Sequence, residues 1–350
     1  DLRMSRGLGD VYKRQEEIRS IKSKYDVFAE TIDYKYFNEY ADKFIKSNAD
    51  RYNYITEEAV NFVQQYRDKY AIEDMMVSFS GGKDSTVTSH IVNRALGTNK
   101  VLHIFGDTTL EFPYTLEYKK RFNKNAESQG VRVLTAKNRE KNFEELCKIV
   151  GPPSRVMRWC CTVFKTGAIQ KTITSAFKDK SNILSFQGIR HNESASRSKY
   201  ERESESPKIS KQTVASPIID WIDYDVWLYI LTTKIDFNYA YRLGWTRVGC
   251  WCCPNNGGWS EFLAKVHMHD KYVHWRGLLV DFAKQIGKPD PEEYINEGGW
   301  KARQGGNGLA AAQTSVVSFE PCATEENAFN YELQKPITEE LYDFFKPFGY

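Results

Sequence analysis

A short glycine-rich segment between two apolar stretches constrains the fold more than any other feature of the sequence. Met75–Phe79 is an almost unbroken apolar run, which is typical of a strand buried on both faces of a parallel sheet. The segment Ser80-Gly-Gly-Lys-Asp-Ser85 follows it directly. Apolar residues then recur at helical spacing until Gly97 ends the pattern. The order of strand, tight turn and helix predicts an α/β domain.

The turn has the composition of an anion-binding loop. Its glycines let the backbone approach a ligand closely, and free amides at a helix start favour negative charge. Lys83 adds a point charge, and Asp84 either caps the helix or holds a magnesium ion beside phosphates. The sequence therefore predicts that a nucleotide's phosphates are bound by Ser80, Gly81, Gly82, Lys83, Asp84 and Ser85.

Two common phosphate-binding motifs are excluded. A Walker P-loop needs a glycine five positions before its final Gly-Lys pair, and Ser or Thr after the lysine. Val77 and Asp84 occupy those positions here, and the dinucleotide fingerprint G-x-G-x-x-G does not occur at this loop.

The rest of the pattern predicts a doubly wound parallel sheet. Apolar strands are expected at Met75–Phe79, Val101–Phe105, Val131–Leu134 and Ile183–Phe186, with helical stretches between them. Ligands of such sheets bind beyond the carboxyl ends of the strands. Asp107 and Gly188-Ile-Arg190 follow two of these strands, so they are predicted to share the site with the loop.

Five segments are expected along the chain. They are a cloning or sequencing scar at 1–15, a helical N-terminal extension at 16–70, the α/β domain at 71–248, a Cys-rich helical segment at 249–304, and an unassigned, truncated extension at 305–350. Within them, apolar spacing predicts a helix from Thr56 to Tyr70 and one long helix from about Phe262 to Gly287. The charged segment Ser194–Lys211 is expected to be a mobile surface loop.

Composition narrows the class of protein. A chain of 350 residues with 41% hydrophobic and 27% charged residues is typical of a globular protein, and a net charge of +3 does not by itself imply nucleic acid. No apolar run is long enough to span a membrane and no signal peptide opens the chain, so a cytoplasmic protein without a membrane partner is expected. Seven cysteines in such a protein indicate metal or redox chemistry.

The cysteines form two groups. Cys160 and Cys161 are adjacent, and Cys250 and Cys253 have the C-x-x-C spacing with which two thiolates hold one metal from a tight turn. Two such pairs supply four thiolates, which suit either an iron–sulfur cluster or zinc. Cys252 is either a non-ligating thiol or a substitute for one of the adjacent pair.

Together these residues resemble the phosphoadenosine phosphosulfate reductase family, a branch of the pyrophosphate-loop, adenine nucleotide alpha hydrolase-like superfamily. The resemblance spans Met75 to Pro254 and rests on Ser80–Ser85, Gly106-Asp-Thr108 with Glu111-Phe-Pro113, Arg158-Trp-Cys-Cys161 with Lys165, Gly188-Ile-Arg190 with Glu193, Ser194 and Arg197, and Gly249–Pro254. It implies a doubly wound domain that binds an adenine nucleotide through the loop, Asp107 and Gly188. It also implies a [4Fe–4S] cluster on Cys160, Cys161, Cys250 and Cys253, with zinc as the alternative.

Two departures from the reductases decide which activity the resemblance implies. Sulfonucleotide reductases usually lack the loop lysine, whereas Lys83 is present here. They also carry a catalytic cysteine in a C-terminal tail, whereas the only late cysteine here is Cys322, without the glycine and histidine of that motif. The resemblance therefore implies magnesium-dependent cleavage of ATP to AMP and pyrophosphate in sulfur transfer or substrate activation. Sulfonucleotide reduction and a non-catalytic nucleotide-binding subunit with a structural cluster remain the alternatives.

Three residues are predicted to be catalytic, namely Lys83, Asp84 and Arg190. Arg190 and Arg197 are the candidates for a second anionic group, because guanidinium suits bidentate contacts with oxyanions. For Arg197 an ordinary ion pair with Glu201 or Glu203 is an equal alternative. The expected partners are an adenine nucleotide and a sulfur-donor or electron-donor protein, and nucleic acid stays open.

Overall fold

The computed structural model describes residues 35–128, 130–140, 142–206, 211–302, 317–321 and 329–333. The predicted scar at residues 1–15 and Cys322 lie outside these residues. The chain divides into two compact units. The larger contains residues 1–143 and 158–276, and the smaller contains residues 144–157 and 277–350.

The described elements alternate between strands and helices through most of the larger unit. The α-helices are α1 Lys35–Ser47, α2 Ala49–Gln64, α3 Lys83–Leu96, α4 Pro113–Ser128, α5 Phe143–Val150, α6 Gly167–Ala176, α7 Asp223–Thr233, α8 Gly258–His267, α9 His269–Gln285, α10 Pro291–Asn296 and α11 Gly299–Ala302. The strands are β1 Met75–Phe79, β2 Leu102–Asp107, β3 Val133–Lys137, β4 Ile183–Gln187, β5 Glu203–Glu205, β6 Gln212–Ala215, β7 Val317–Pro321 and β8 Phe329–Leu333. A π-helix covers Cys161–Thr166, and a short 3-10 helix covers Tyr239–Leu243.

Six strands form one sheet in the order β3-β2-β1-β4-β6-β5. The first five in this order are parallel, and β5 is antiparallel to β6. The chain winds outward from β1 in one direction and then from β4 in the other, so the two neighbours form a topological switch point, where such sheets bind ligands. The α/β fold and its parallel core are as predicted.

The core around β1 follows from its sequence. Met75, Met76, Val77 and Phe79 are at most 1% exposed, because helices cover both faces of this central strand. Val87, Ile91 and Ala95 of α3 pack against the same core with residues of α2. Each fully buried aliphatic side chain of this kind contributes roughly 1.5–3 kcal/mol to folding. Gly97 ends α3 at φ +64°, as its position in the pattern predicts.

Some predicted strand and loop boundaries were wrong. Strand β2 extends to Asp107 and β3 to Lys137, because the two pair in register through Gly106–Ala136 and Asp107–Lys137. The segment Ser194–Lys211, predicted to be a loop, contains strand β5, which pairs with β6 at the edge of the sheet.

Two helix predictions were also wrong. Helix α2 begins at Ala49 and ends at Gln64, so it lies earlier in the chain than predicted. The predicted long helix is divided into α8 and α9 at Met268, whose backbone leaves the helical region at φ −135°, ψ 43°. The Met268 side chain is 5% exposed and packs with Leu263 and Ala264, so tertiary packing favours the break.

In the smaller unit, α10 has a conventional start. Asp290 accepts a hydrogen bond from the amide of Glu293 at 2.8 Å, and Pro291 occupies the first helical position. Strands β7 and β8 pair antiparallel. No helix among the described residues is both long enough and apolar enough to cross a membrane.

Candidate functional site

The glycine-rich loop between β1 and α3 is held by side chains from distant parts of the chain. Gly81 has φ +73°, and a Cβ on it would lie 2.9 Å from Cγ2 of Thr115. Asn238 donates hydrogen bonds to the carbonyl oxygen of Gly81 at 3.1 Å and to Oγ1 of Thr115 at 2.8 Å. Both the backbone angle and the close packing require glycine at position 81. No local pattern in the sequence points to Asn238, because its role depends on its place in the fold.

The two serines of the loop bond to the loop itself. Oγ of Ser85 accepts from the amide of Ser80 at 3.2 Å and donates to the carbonyl oxygen of Gly82 at 3.0 Å. The hydroxyl of Ser80 lies 3.1 Å from the same Oγ. These bonds close the loop into a tight turn, so Ser85 supports the shape of the predicted anion site.

Lys83 is buried, and its ammonium group faces three oxygen atoms. Its Nζ donates to the carbonyl oxygen of Thr246 at 3.3 Å, and it lies 3.1 Å from Oδ1 of Asp223 and 3.6 Å from Oδ2 of Asp84. The amide of Lys83 donates to the hydroxyl of Tyr241 at 2.9 Å. Both ends of the lysine are therefore fixed, and its side chain is only 4% exposed.

Arg190 reaches the same place from the end of β4. Its Nε lies 2.5 Å from Oδ1 of Asp84, its NH2 group 2.8 Å from Oδ1 of Asp223, and its NH1 group 3.4 Å from the carbonyl oxygen of Trp221. Burial opposes the charge of the guanidinium, but the Asp84 and Asp223 carboxylates outweigh it, and the pKa of Arg190 is raised. Arg190 thus stays charged although its side chain is 4% exposed.

One carboxylate oxygen joins the two buried cations. Oδ1 of Asp223 is within 3.1 Å of Lys83 Nζ and within 2.8 Å of an Arg190 nitrogen. Asp223 is the first residue of α7, and its side chain is 58% exposed. Two cations that converge on one oxygen mark a position that an oxyanion of a ligand can take. Sequence reasoning missed Asp223, since an acidic residue at a helix start is ordinary.

Asp84 does not cap α3. Gly82 occupies the cap position, and no side chain bonds there. The Asp84 carboxylate instead faces Arg190 and Lys83, with 18% of its side chain exposed. Of the two roles considered for this residue, the helix cap is not observed, and the carboxylate is paired with two cationic side chains.

The other predicted nucleotide and anion residues are placed as follows. Gly188 packs closely against the backbone of Asp84. A Cβ at position 188 would lie 2.7 Å from the Asp84 carbonyl carbon. Asp107 ends β2, accepts from the amide of Thr109 at 2.9 Å, and pairs with Lys137 at 3.4 Å. Arg197 forms an ion pair with Glu193, not with the expected Glu201 or Glu203.

A cavity of about 600 Å³ opens beyond the carboxyl end of β3. Lys137, Arg139 and Thr162 line it, together with one face of α6. No residue of the glycine-rich loop lines it. Lys137, which does line it, forms an ion pair with Asp107 at the end of β2.

The four predicted ligand cysteines are brought together. Cys161 raises the pKa of Cys160 through a side-chain hydrogen bond, burial raises it further, and the charges of Cys250 and Cys253 also contribute. Burial raises the pKa of Cys250 to about 11, and Lys165 partly opposes this rise. Cys252 is a separate, buried thiol.

The elements that carry Cys161 and Cys250 explain how the two cysteine pairs come near each other. The π-helix carries Cys161 at its start, and Cys250 forms an antiparallel bridge with Glu111 just after β2. Thr108 contacts both residues of this bridge: its hydroxyl lies 2.6 Å from Glu111 Oε1 and 3.5 Å from Cys250 Sγ. Burial raises the pKa of Glu111, and hydrogen bonds from Thr108 act against this.

The cysteine group fits a thiolate-bound metal cluster by its chemistry. Cys160 interacts with Cys161, Cys250 and Cys253, and all four thiols are partly buried, which is the number and type of ligand that a four-thiolate cluster requires. Among the described residues, no set of three or more His, Cys, Asp or Glu side chains already has the geometry of a bound metal ion. Cysteine thiols lose their protons when they bind a metal. The fit therefore rests on the number and type of these ligands, and not on a preformed geometry.

Proteins from other organisms are similar to parts of this chain. The Uncharacterized protein MJ0066 of Methanocaldococcus jannaschii is 31% identical over 268 residues, which cover 77% of this chain and 54% of that protein. The chain thus spans about half the length of this relative. The adenosine 5'-phosphosulfate reductase of Neisseria meningitidis serogroup A is 32% identical over 98 residues, 27% of this chain and 36% of that enzyme.

A solved structure is similar at low sequence identity. The phosphoadenylyl-sulfate (PAPS) reductase from Candida auris, a phosphate complex, covers 58% of this chain and 95% of its own, with a TM-score of 0.43 and 16% identity. The model of the phosphoadenosine phosphosulfate reductase domain matches residues 74–256, which contain the glycine-rich loop, Arg190 and all four cysteines of the group. This match covers more than half of the chain, which therefore belongs to the phosphoadenosine phosphosulfate reductase domain family.

Proposed function

We propose that this protein cleaves ATP to AMP and pyrophosphate in an iron–sulfur-dependent sulfur transfer. The observation that carries the proposal is the convergence of buried Lys83 and Arg190 on Oδ1 of Asp223. A phosphate oxygen that takes this position meets two fixed cations, while the exposed Asp223 side chain turns away. The presence of Lys83 favours ATP over a sulfonucleotide as the substrate, because a sulfonucleotide has no β and γ phosphates for the lysine to bind.

In the proposed reaction, an oxygen of the substrate, or of water when the substrate is absent, attacks the α phosphorus, the bond to the bridging oxygen breaks, and pyrophosphate leaves. Lys83 and the loop amides stabilise the charge that develops on the pyrophosphate, and Arg190 holds an oxyanion of the reacting groups. Asp84 would hold magnesium, which neutralises phosphate charge. A sulfur donor then displaces AMP from the activated substrate.

Cys160, Cys161, Cys250 and Cys253 would hold the cluster. When bound, a [4Fe–4S] cluster supplies a site that accepts, relays or positions sulfur. Thr108 connects this group to the end of β2, where Asp107 stands one residue earlier in the chain. A protein that donates sulfur is the expected partner.

Sulfonucleotide reduction is the second candidate. The 98-residue similarity to an adenosine 5'-phosphosulfate reductase and the four grouped cysteines favour it. That reaction also needs a cysteine nucleophile and an electron-donor protein.

The test compares the two substrates on anaerobically purified protein. With ATP and magnesium, AMP and pyrophosphate are expected, and Lys83→Ala should lower this turnover about a hundredfold while AMP binding changes little. Lys180→Ala is the matched control, because Lys180 forms only a surface ion pair with Asp74. Sulfite release from adenylylsulfate with intact ATP would instead support the reductase. Nucleotide binding without turnover of either substrate would support a non-catalytic subunit.

A further inference from the structure

Helix α8 carries a pair of stacked aromatic side chains that are exposed. Trp259 is 58% exposed and Phe262 40% exposed, with ring centroids 5.5 Å apart and planes inclined by 26°. Nε1 of Trp259 donates to the carbonyl oxygen of Gly244 at 2.9 Å. The indole is therefore fixed in orientation while much of its surface stays in contact with solvent. A fixed, exposed aromatic pair is typical of a contact surface.

The chain around this pair carries more positive than negative charge at its surface, because Glu261, which lies between the two aromatic residues, is half-buried. Between Tyr239 and Ser260 there are two arginines, Arg242 and Arg247, and no Asp, Glu or Lys. Both arginines are exposed. Arg242 lies over the ring of Phe237 at 5.2 Å, and Arg247 forms no ion pair with any described residue. The surface thus combines stacked rings with uncompensated guanidinium groups.

The same segment leads directly into the nucleotide site. Thr246 accepts the hydrogen bond from the Lys83 ammonium group, and Tyr241 accepts the one from the Lys83 amide. Cys250 follows Thr246 by four residues. A ligand that rests on Trp259 and Arg247 is therefore bound by the segment that contacts both Lys83 and the cysteine group.

We propose that Arg242, Arg247, Trp259 and Phe262, the α8 platform, bind a single-stranded nucleic acid, and that this is the substrate class of the site. The assignment of nucleic acid as the substrate rests on the proposed function, whereas its binding to the α8 platform does not. Bases stack on exposed aromatic rings regardless of sequence, and arginines bind the phosphates between them. Two exposed arginines against one half-buried glutamate match a polyanion, which favours nucleic acid over a protein partner.

Binding is measured on the full chain, without ATP, by fluorescence anisotropy of labelled 12-nucleotide single strands of RNA and DNA. Binding that weakens as salt is raised from about 50 to 200 mM is expected. Trp259→Ala should weaken it about tenfold, and Trp259→Phe should recover part of the loss. Arg247→Gln should weaken binding and reduce the slope of its salt dependence by about 0.7.

Two control variants test whether removal of an exposed aromatic or basic residue elsewhere also weakens binding. Tyr54→Ala removes an aromatic side chain that is 67% exposed on α2, and Lys178→Gln removes an exposed charge elsewhere. Both should bind like the wild type. Helical content and iron content of each variant, compared with the wild type, identify a variant that fails to fold.

Three results would overturn the proposal. They are an absence of binding to either strand, equal binding by wild type and a folded Trp259→Ala variant, and binding that the control variants weaken equally. Binding of a reduced thioredoxin that depends on Trp259, without oligonucleotide binding, would assign the platform to a protein partner instead. ATP cleavage is assayed separately, with and without oligonucleotide, so its absence in both assays would refute the proposed function and leave the binding inference standing.

Discussion

Gly188 lies directly against the backbone of Asp84, where the end of β4 meets the start of α3. A Cβ on Gly188 would come within 2.7 Å of the Asp84 carbonyl carbon, 2.8 Å of its oxygen and 2.9 Å of the Ser85 amide nitrogen. All three are backbone atoms, which cannot rotate away as the end of a side chain can. The glycine therefore allows the two halves of the sheet to bring Arg190 and Lys83 to one place.

Gly188→Ala should separate these two segments. We expect a loss of about 2 kcal/mol in the free energy of unfolding, because overpacking against a fixed backbone forces a shift. Weaker binding of pyrophosphate is expected as well. Denaturant titration and calorimetry measure the two effects. The matched control is Gly277→Ala in α9, where a Cβ meets nothing within 4 Å. Equal stability of the two variants would contradict the close packing.

Asp223→Asn should strengthen the binding of metal-free pyrophosphate. The carboxylate competes with a ligand for Lys83 and Arg190, and because the Asp223 side chain is 58% exposed, each of these ion pairs is worth up to about 1 kcal/mol. A gain of about three- to tenfold in affinity is expected by titration calorimetry. Asp220→Asn removes a similarly exposed carboxylate, one that pairs with His191, and should change nothing. Weaker binding by Asp223→Asn would mean that Asp223 contacts the ligand or its metal.

Anaerobically purified protein should contain about four irons per chain. Cys250→Ser and Cys253→Ser should each remove most of this iron, because the remaining thiolates cannot complete the set. Cys147→Ser is the control, because Cys147 is a buried thiol outside the group of four. Iron analysis and the visible absorption spectrum give the result. Stoichiometric zinc in the native protein, or iron that survives both substitutions, would contradict the cluster.

His103 should make stability depend on pH. The side chain is buried in β2, where Nδ1 donates to the carbonyl oxygen of Val101 at 2.9 Å and Nε2 accepts from Ser89 Oγ at 2.8 Å. Burial lowers the pKa of His103 to about 4, from 6.5. The unfolded chain therefore binds a proton between these values that the folded chain does not, and stability falls as the pH falls from 6.5 towards 4.

The full effect of this single group is roughly 3 kcal/mol, from 1.36 kcal/mol for each pH unit between the two pKa values. Urea unfolding at pH 7.5, 5.5 and 4.5 measures it. In His103→Gln, which does not titrate, the decrease between pH 7.5 and 4.5 should be smaller by about 2.5 kcal/mol, because the effect of His103 is complete only below pH 4. Equal pH dependence in the two proteins would show that His103 does not control it.

Local signals in the sequence predicted the centre of the fold and named many residues of the candidate site. The apolar run of β1, the glycines of the loop and Gly97 each specify local backbone geometry, and the alternating periods indicate a parallel sheet. Partners distant in the chain were not predictable in this way. Asp223 meets Lys83 only because α7 begins beside α3, and Met268 breaks a helical pattern because its side chain packs elsewhere. The extension of β2 through Gly106 depends on its register with β3, which residue preferences alone do not reveal.

The chain between Asn238 and Cys250 gives the two predicted chemical centres a common mechanical support. Asn238 and Tyr241 bond the glycine-rich loop, Thr246 bonds the Lys83 ammonium group, and Cys250 carries a thiol of the group of four. A nucleotide that shifts Lys83 away from Thr246 also acts on the turn that holds this thiol. Thermodynamic linkage makes the effect mutual: if occupancy of the phosphate site changes the cluster's reduction potential, the oxidation state of the cluster changes nucleotide affinity by the same free energy.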